Sequence, residues 1–89
     1  MPGARIKKEV RSRDLQGELV LLNLRTGVYF GLDAVGSRIW QLIEDRRSSR
    51  DIVEALLAEY DVVREECEAD VREFLGALRD NELVDADDG

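Results

Sequence analysis

Residues 19–40 read LVLLNLRTGVYFGLDAVGSRIW: two apolar runs joined at Arg25-Thr26-Gly27 and followed directly by an Asp-led segment. The first run, residues 18–24, is short, nearly unbroken and bounded by turn residues, so it reads as a buried strand. Gly27 is free to take the positive φ that a tight reversal needs, and residues 28–32 return as the second arm of a hairpin. Strand alternation puts Val28, Phe30 and Leu32 on one face of that arm and Tyr29 and Gly31 on the other. Asp33 then caps a helix, because its carboxylate accepts from the orphan N–H groups of the first turn. The returning arm is expected at the edge of a small sheet. Unpaired N–H and C=O groups on such an edge are able to pair with another chain's backbone.

The remaining segments extend this frame in both directions. Residues 6–13 alternate weakly, with Ile6 and Val10 on one side, and read as a half-exposed first strand; residues 14–17 read as a turn. The first helix carries apolar residues at Val35, Ile39, Trp40, Leu42 and Ile43 and is expected to end around residues 45–47. Ser48 and Asp51 open a second helix in a variant of the capping box, with Ile52, Val53, Leu56, Leu57 and Tyr60 as its buried face. A third helix, from about residue 64 to 81, bears the stripe Cys67, Val71, Phe74, Leu75 and Leu78, with Glu68 and Arg72 spaced for an ion pair. Leu83 and Val84 are expected to close the end of the core, and residues 1–4 and 86–89 to be frayed tails. Three strands followed by three helices predict an α+β fold: a three-stranded antiparallel sheet with the helices on one face, also the outline of winged helix-turn-helix domains. One domain is expected over residues 1–89, with its core at about 6–84.

Composition excludes several functions. Thirteen basic residues against twenty acidic ones give a net charge of −7, the wrong balance for a phosphate backbone. The third helix alone carries Glu65, Glu66, Glu68, Asp70 and Glu73 against Arg64, Arg72 and Arg79, which argues against a DNA-reading winged helix. Histidine is absent and Cys67 is the single cysteine, so there is no imidazole base, no Cys–His pair and no Cys/His zinc set. Gly17, Gly27, Gly31, Gly36 and Gly76 stand singly rather than in a phosphate-cradling loop. No catalytic residue, metal site or cofactor is expected, and the chain does not read as an enzyme. With no membrane-length apolar run and no signal-peptide core, a cytoplasmic location is expected.

The block Leu22-Asn23-x-x-Thr26-Gly27-x-Tyr29-Phe30-x-Leu32-Asp33-x-x-Gly36-x-x-Ile39-Trp40 resembles the PqqD-like proteins, also called RiPP recognition elements. Glu68-Ala69-Asp70-Val71-x-x-Phe74-Leu75-x-x-Leu78 is similar to that family's C-terminal motif, and the closing Leu83-Val84 fits as well. The resemblance covers about residues 9–84. It implies a non-enzymatic protein that binds the leader segment of a ribosomally made precursor peptide and presents it to a modifying enzyme. The leader would add as a strand beside the third strand, in the cleft between that strand and the third helix. Short free-standing members with the TGxYFGLDxxGxxIW pattern most resemble the leader-recognition proteins of lasso-peptide biosynthesis. Those deliver the precursor to a transglutaminase-like cysteine leader peptidase. The alternative within the family is a peptide chaperone for a radical SAM enzyme in pyrroloquinoline quinone synthesis, whose Tyr-Pro-Glu-Gly stretch this chain lacks. The family often places a capping Asp before the third helix; here Val63 stands there, with Asp61 as the other candidate cap.

On this reading the peptide-binding residues are Val28, Tyr29, Phe30, Gly31 and Leu32 on the strand and Cys67, Asp70, Val71 and Phe74 on the helix. Phe30 and Leu32 floor the cleft, while Gly31 lets a second backbone approach closely. Cys67, Val71 and Phe74 form an apolar wall, and Asp70 is placed to pair with a leader Lys or Arg. The competing reading of the same apolar residues is plain core, most of all for Val71, Cys67 and Trp40. Arg46, Arg47 and Arg50 form the compact basic cluster, read first as helix-end electrostatics and second as a docking patch for an acidic enzyme.

Overall fold

The hairpin of residues 18–32 is the centre of the structure, a computed structural model that describes residues 4–85. In chain order the elements are β1 (Arg5–Ile6), β2 (Val10–Leu15), β3 (Glu18–Asn23), β4 (Tyr29–Leu32), α1 (Ala34–Glu44), α2 (Ser49–Glu59), α3 (Arg64–Asp80) and β5 (Val84–Asp85). β2, β3 and β4 form an antiparallel sheet in that order, and β1 pairs with β5 in a separate two-stranded ribbon. The fold is therefore the α+β arrangement expected from the sequence, a three-stranded antiparallel sheet and three helices.

Each turn has a local cause. Gln16 and Gly17 both take positive φ, 58° and 92°, which gives the twist-matched two-residue turn between β2 and β3. Asp14 fastens it by accepting from the Gly17 N–H at 2.9 Å. The turn is thus shorter than expected, and Asp14 belongs to the strand. At the other end the expected first strand is broken. The Val10 N–H bonds back to the Lys7 carbonyl at 3.1 Å, so only residues from Val10 join the large sheet, while Ile6 pairs with Val84. Gly27, at φ 77°, carries the reversal into β4.

The helices are capped largely as the sequence implies. Asp33 accepts from the Gly36 N–H at 2.8 Å, and Ser48 and Asp51 bond reciprocally in a full capping box. Val63 is the N-cap of α3 and makes no side-chain bond, and Asp61 does not replace it; Glu65 and Glu66 in the first turn suit the positive end of the helix dipole. The expected Glu68–Arg72 pair is not among the described ion pairs. Glu68 pairs back to Arg64 instead, and Arg64 bridges to Glu54 on α2 at 2.8 Å.

The core lies between the sheet and the helices. Its fully enclosed side chains are Leu21, Trp40, Ile52, Leu78, Leu83 and Val84, with Asn23 among them. Two residues assigned to helical stripes are exposed. Val35 sits at the border of the α1 stripe, whose buried side runs through Gly36, Ile39, Trp40 and Ile43. Tyr60 is the C-cap of α2 with extended backbone, so its side chain no longer follows the helical period. No helix of the described residues is long and apolar enough to cross a membrane.

Candidate functional site

β4 is an edge strand whose hydrogen bonding is fixed by its register. Leu21 stands opposite Phe30 and Leu19 opposite Leu32, and the Asn23 N–H donates to the Val28 carbonyl at 3.0 Å. In an antiparallel ladder the residues that face the partner alternate with those that face away. Val28, Phe30 and Leu32 therefore direct their backbone groups toward β3, and Tyr29 and Gly31 direct theirs off the sheet. Among the described residues no other strand pairs with β4, because β1 and β5 take up each other.

The opposite edge differs. The same alternation sends the backbone groups of Val10, Ser12 and Asp14 outward from β2. That edge carries Arg11, Arg13 and Asp14, and the Arg11 guanidinium itself donates to the Val10 and Lys8 carbonyls at 3.1 and 2.8 Å. Charges and capped carbonyls discourage strand pairing. β4 reads Tyr-Phe-Gly-Leu, with no charge and no capping side chain.

The side chains of β4 divide as strand alternation predicts. Leu32 is 4% exposed and Phe30 is partly buried against the core, while Tyr29 is 71% exposed on the outer face. Val28 stands half open at the start of the strand. A Cβ at Gly31 would meet no atom within 4 Å, so the outer face of the sheet is open at that position.

Asn23, which the sequence reading left without a role, holds the hairpin mouth. Its side-chain oxygen accepts from the N–H groups of Arg25 and Thr26 at 2.8 and 3.1 Å. Its amide nitrogen donates to the Glu82 carbonyl at 2.7 Å, tying the hairpin to the turn after α3. The signal was a single Asn closing an apolar run just before a Thr-Gly turn.

On α3 the expected apolar wall is divided, which corrects the sequence reading. Cys67 is 4% exposed and Val71 2% exposed, so neither presents a surface beside β4. The Cys67 thiol points to the Val53 carbonyl of α2 at 3.9 Å, and Val71 lies beside Val53 on the same side. Burial pushes the Cys67 thiol pKa up, with Asp70 and Glu68 adding to it, so the thiol stays protonated and unreactive. Phe74 turns the other way. Its ring lies over Gly36 in the first turn of α1, close enough that a Cβ there would sit 3.2 Å from it. Asp70, one turn earlier on the same side of α3, is exposed. The structure therefore brings Phe74 and Asp70 to the side of α3 nearest the C-terminal end of β4, and leaves Cys67 and Val71 in the core. Among the described residues no group of three His, Cys, Asp or Glu side chains is placed to hold a metal ion.

Residues 18–84 match the family of coenzyme PQQ synthesis protein D (PqqD). Among solved structures, TbiB1 in complex with the TbiA(beta) leader peptide is similar to this chain with 50% identity and a TM-score of 0.89, covering 92% of this chain and 95% of that one. A lasso peptide synthetase B1 complexed with the leader peptide is similar at 28% identity and a TM-score of 0.87, covering 93% of this chain and 98% of that one. None of the curated protein sequences is significantly similar to it.

Proposed function

Because the chain belongs to the PqqD family, as a PqqD-like RiPP recognition element, we propose that it binds the leader segment of a ribosomally made precursor peptide as an added strand on β4. The observation that carries this reading is that both similar structures are leader-peptide complexes, each matched over more than nine-tenths of this chain. The naming of one of them as a lasso peptide synthetase B1 supports the lasso-peptide assignment, and the family resemblance implies presentation to a cysteine leader peptidase. The protein is not itself catalytic. Its task is to hold a flexible peptide in one conformation for an enzyme to act on.

The geometry suits that task. Tyr29 and Gly31 offer two N–H donors and two carbonyl acceptors, which pair with any backbone whatever its side chains. Selectivity comes from alternate leader residues. Those on the inner face meet Phe30, Leu32 and the Phe74 ring, and a cationic one is in reach of Asp70; those on the outer face lie beside Tyr29. Fixing an unstructured leader costs about 1–2 kcal/mol per residue, so a short strand needs both the ladder and one or two buried anchors. An edge already braced by β3 and by Asn23 contributes no ordering cost of its own.

Fluorescence anisotropy with the labelled cognate leader, and with the TbiA(beta) leader peptide as a surrogate, tests the proposal. Gly31→Pro deletes one outward N–H and leaves the β3 ladder intact, since proline is tolerated on an edge whose N–H faces solvent. It is expected to weaken binding about tenfold, ~1.4 kcal/mol, and Phe74→Asp by at least as much. Wild-type affinity in both variants would reject this cleft.

A further inference from the structure

α2 and α3 flank an open groove of about 760 Å³, and its lining is basic although the chain is strongly acidic. Four arginines face two glutamates there. Arg64 is neutralised by Glu54 at 2.8 Å and Glu68 at 3.8 Å. The Glu54 carboxyl is held below its ordinary pKa, chiefly by the hydrogen bond from Arg64 and that residue's charge, with a smaller pull from Arg50. Arg50, Arg72 and Arg79 have no carboxylate within 4.0 Å among the described residues. Between them lie Val53, Val71 and Leu75, which belong to the core and show almost no surface to the groove.

We propose that this groove is a docking site for an acidic segment of the enzyme that receives the leader. Two observations select that occupant. The unpaired guanidiniums call for carboxylates, and an arginine fork binds a carboxylate through two hydrogen bonds. The volume exceeds what a lone ion requires and lies in the range that holds several side chains. Arg72 and Arg79 project from α3 roughly 150° around the helix axis from Phe74. The leader and the enzyme segment therefore occupy opposite sides of one helix and bind together, which makes α3 a two-sided bridge.

The inference rests on the leader-binding proposal for the identity of the enzyme, so the test reads both interactions separately. Association with the purified cysteine leader peptidase is measured by biolayer interferometry, and leader binding by anisotropy on the same samples. Arg50→Gln/Arg72→Gln/Arg79→Gln is expected to weaken peptidase binding at least about tenfold while leader affinity stays unchanged, and added salt is expected to weaken the wild type more than the variant. The control Arg5→Gln/Arg13→Gln, outside the groove lining, is expected to change neither. Should the triple variant misfold, Arg72→Glu alone, at an exposed position, is expected to show the same selective loss. Peptidase binding that is equal in wild type and variants, or absent while the leader still binds, overturns the proposal. So does a loss of equal size in the control. Self-association of the wild type that disappears in Arg72→Glu overturns it in favour of a second copy of this acidic chain.

Discussion

Asn23 is wholly enclosed, and both of its side-chain polar atoms are used, one on the hairpin turn and one on the Glu82 carbonyl. Asn23→Ala takes these partners from the Glu82 carbonyl and from two turn N–H groups and leaves a gap in the enclosed core. It is expected to destabilise the fold by about 2–3 kcal/mol in urea denaturation, against well under 1 kcal/mol for an exposed substitution such as Arg13→Gln. A loss no larger than the surface control would mean that Asn23 does not hold the hairpin. Cys67 gives a second residue-scale test. Its buried, protonated thiol should react slowly with a thiol reagent at neutral pH and rapidly once urea unfolds the chain. Fast reaction in the folded state would place it on an open surface. Cys67 as a small buried hydrophobe was legible from its apolar stripe. The role of Asn23 was not, because its partner Glu82 lies 59 residues away and only the fold brings them together.

At the scale of elements, what the sequence announces is periodicity, and what it conceals is direction. The stripe on α3 was legible at its true positions, yet spacing alone does not say which neighbour each part of the stripe meets. Cys67 and Val71 went to α2, and Phe74 to the first turn of α1. Likewise β1 and β5 are two residues each, too short to show alternation, and they exist only because the chain ends meet. The α1–α2 contact makes a pH-dependent prediction. Arg38 grips Glu59 with three hydrogen bonds of 2.7–3.1 Å, and this bond holds the Glu59 carboxyl below its ordinary pKa. A carboxyl lowered on folding stabilises the fold above its unfolded pKa and loses that contribution as pH falls through the folded value. Thermal melts from pH 7 down to pH 3 should therefore show a smaller acid loss in Glu59→Gln than in wild type. Since the pair is partly open to solvent, high salt should shrink the difference. Identical melting profiles for the two proteins would show that the bridge contributes nothing.

On the scale of the whole molecule, the sheet has two outer edges, and only their chemistry distinguishes them. β2 is rimmed by Arg11, Arg13 and Asp14, with one outward carbonyl already capped, whereas β4 ends in Tyr29 and Gly31 with their backbone groups directed outward. Charge also differs around α3, with Asp70 on the Phe74 side and Arg72 and Arg79 in the groove. A net charge of −7 also repels a second copy from the β4 edge, so a cationic or neutral peptide is favoured there over self-pairing. Strand addition makes a claim that side-chain docking does not, because it must protect particular amides. If the leader adds to β4, hydrogen exchange at the Tyr29 and Gly31 N–H groups slows when leader is present. Exchange at Ser12 and Asp14, which point off the other edge, stays unchanged. Protection at Phe30 without Tyr29 or Gly31 would reflect a stiffer β3–β4 ladder rather than a new strand. Protection confined to Ser12 and Asp14 would move the binding site to β2, against the charge on that rim. The alternation of two residues thus carries a prediction for four amides, and one exchange experiment reads all of them.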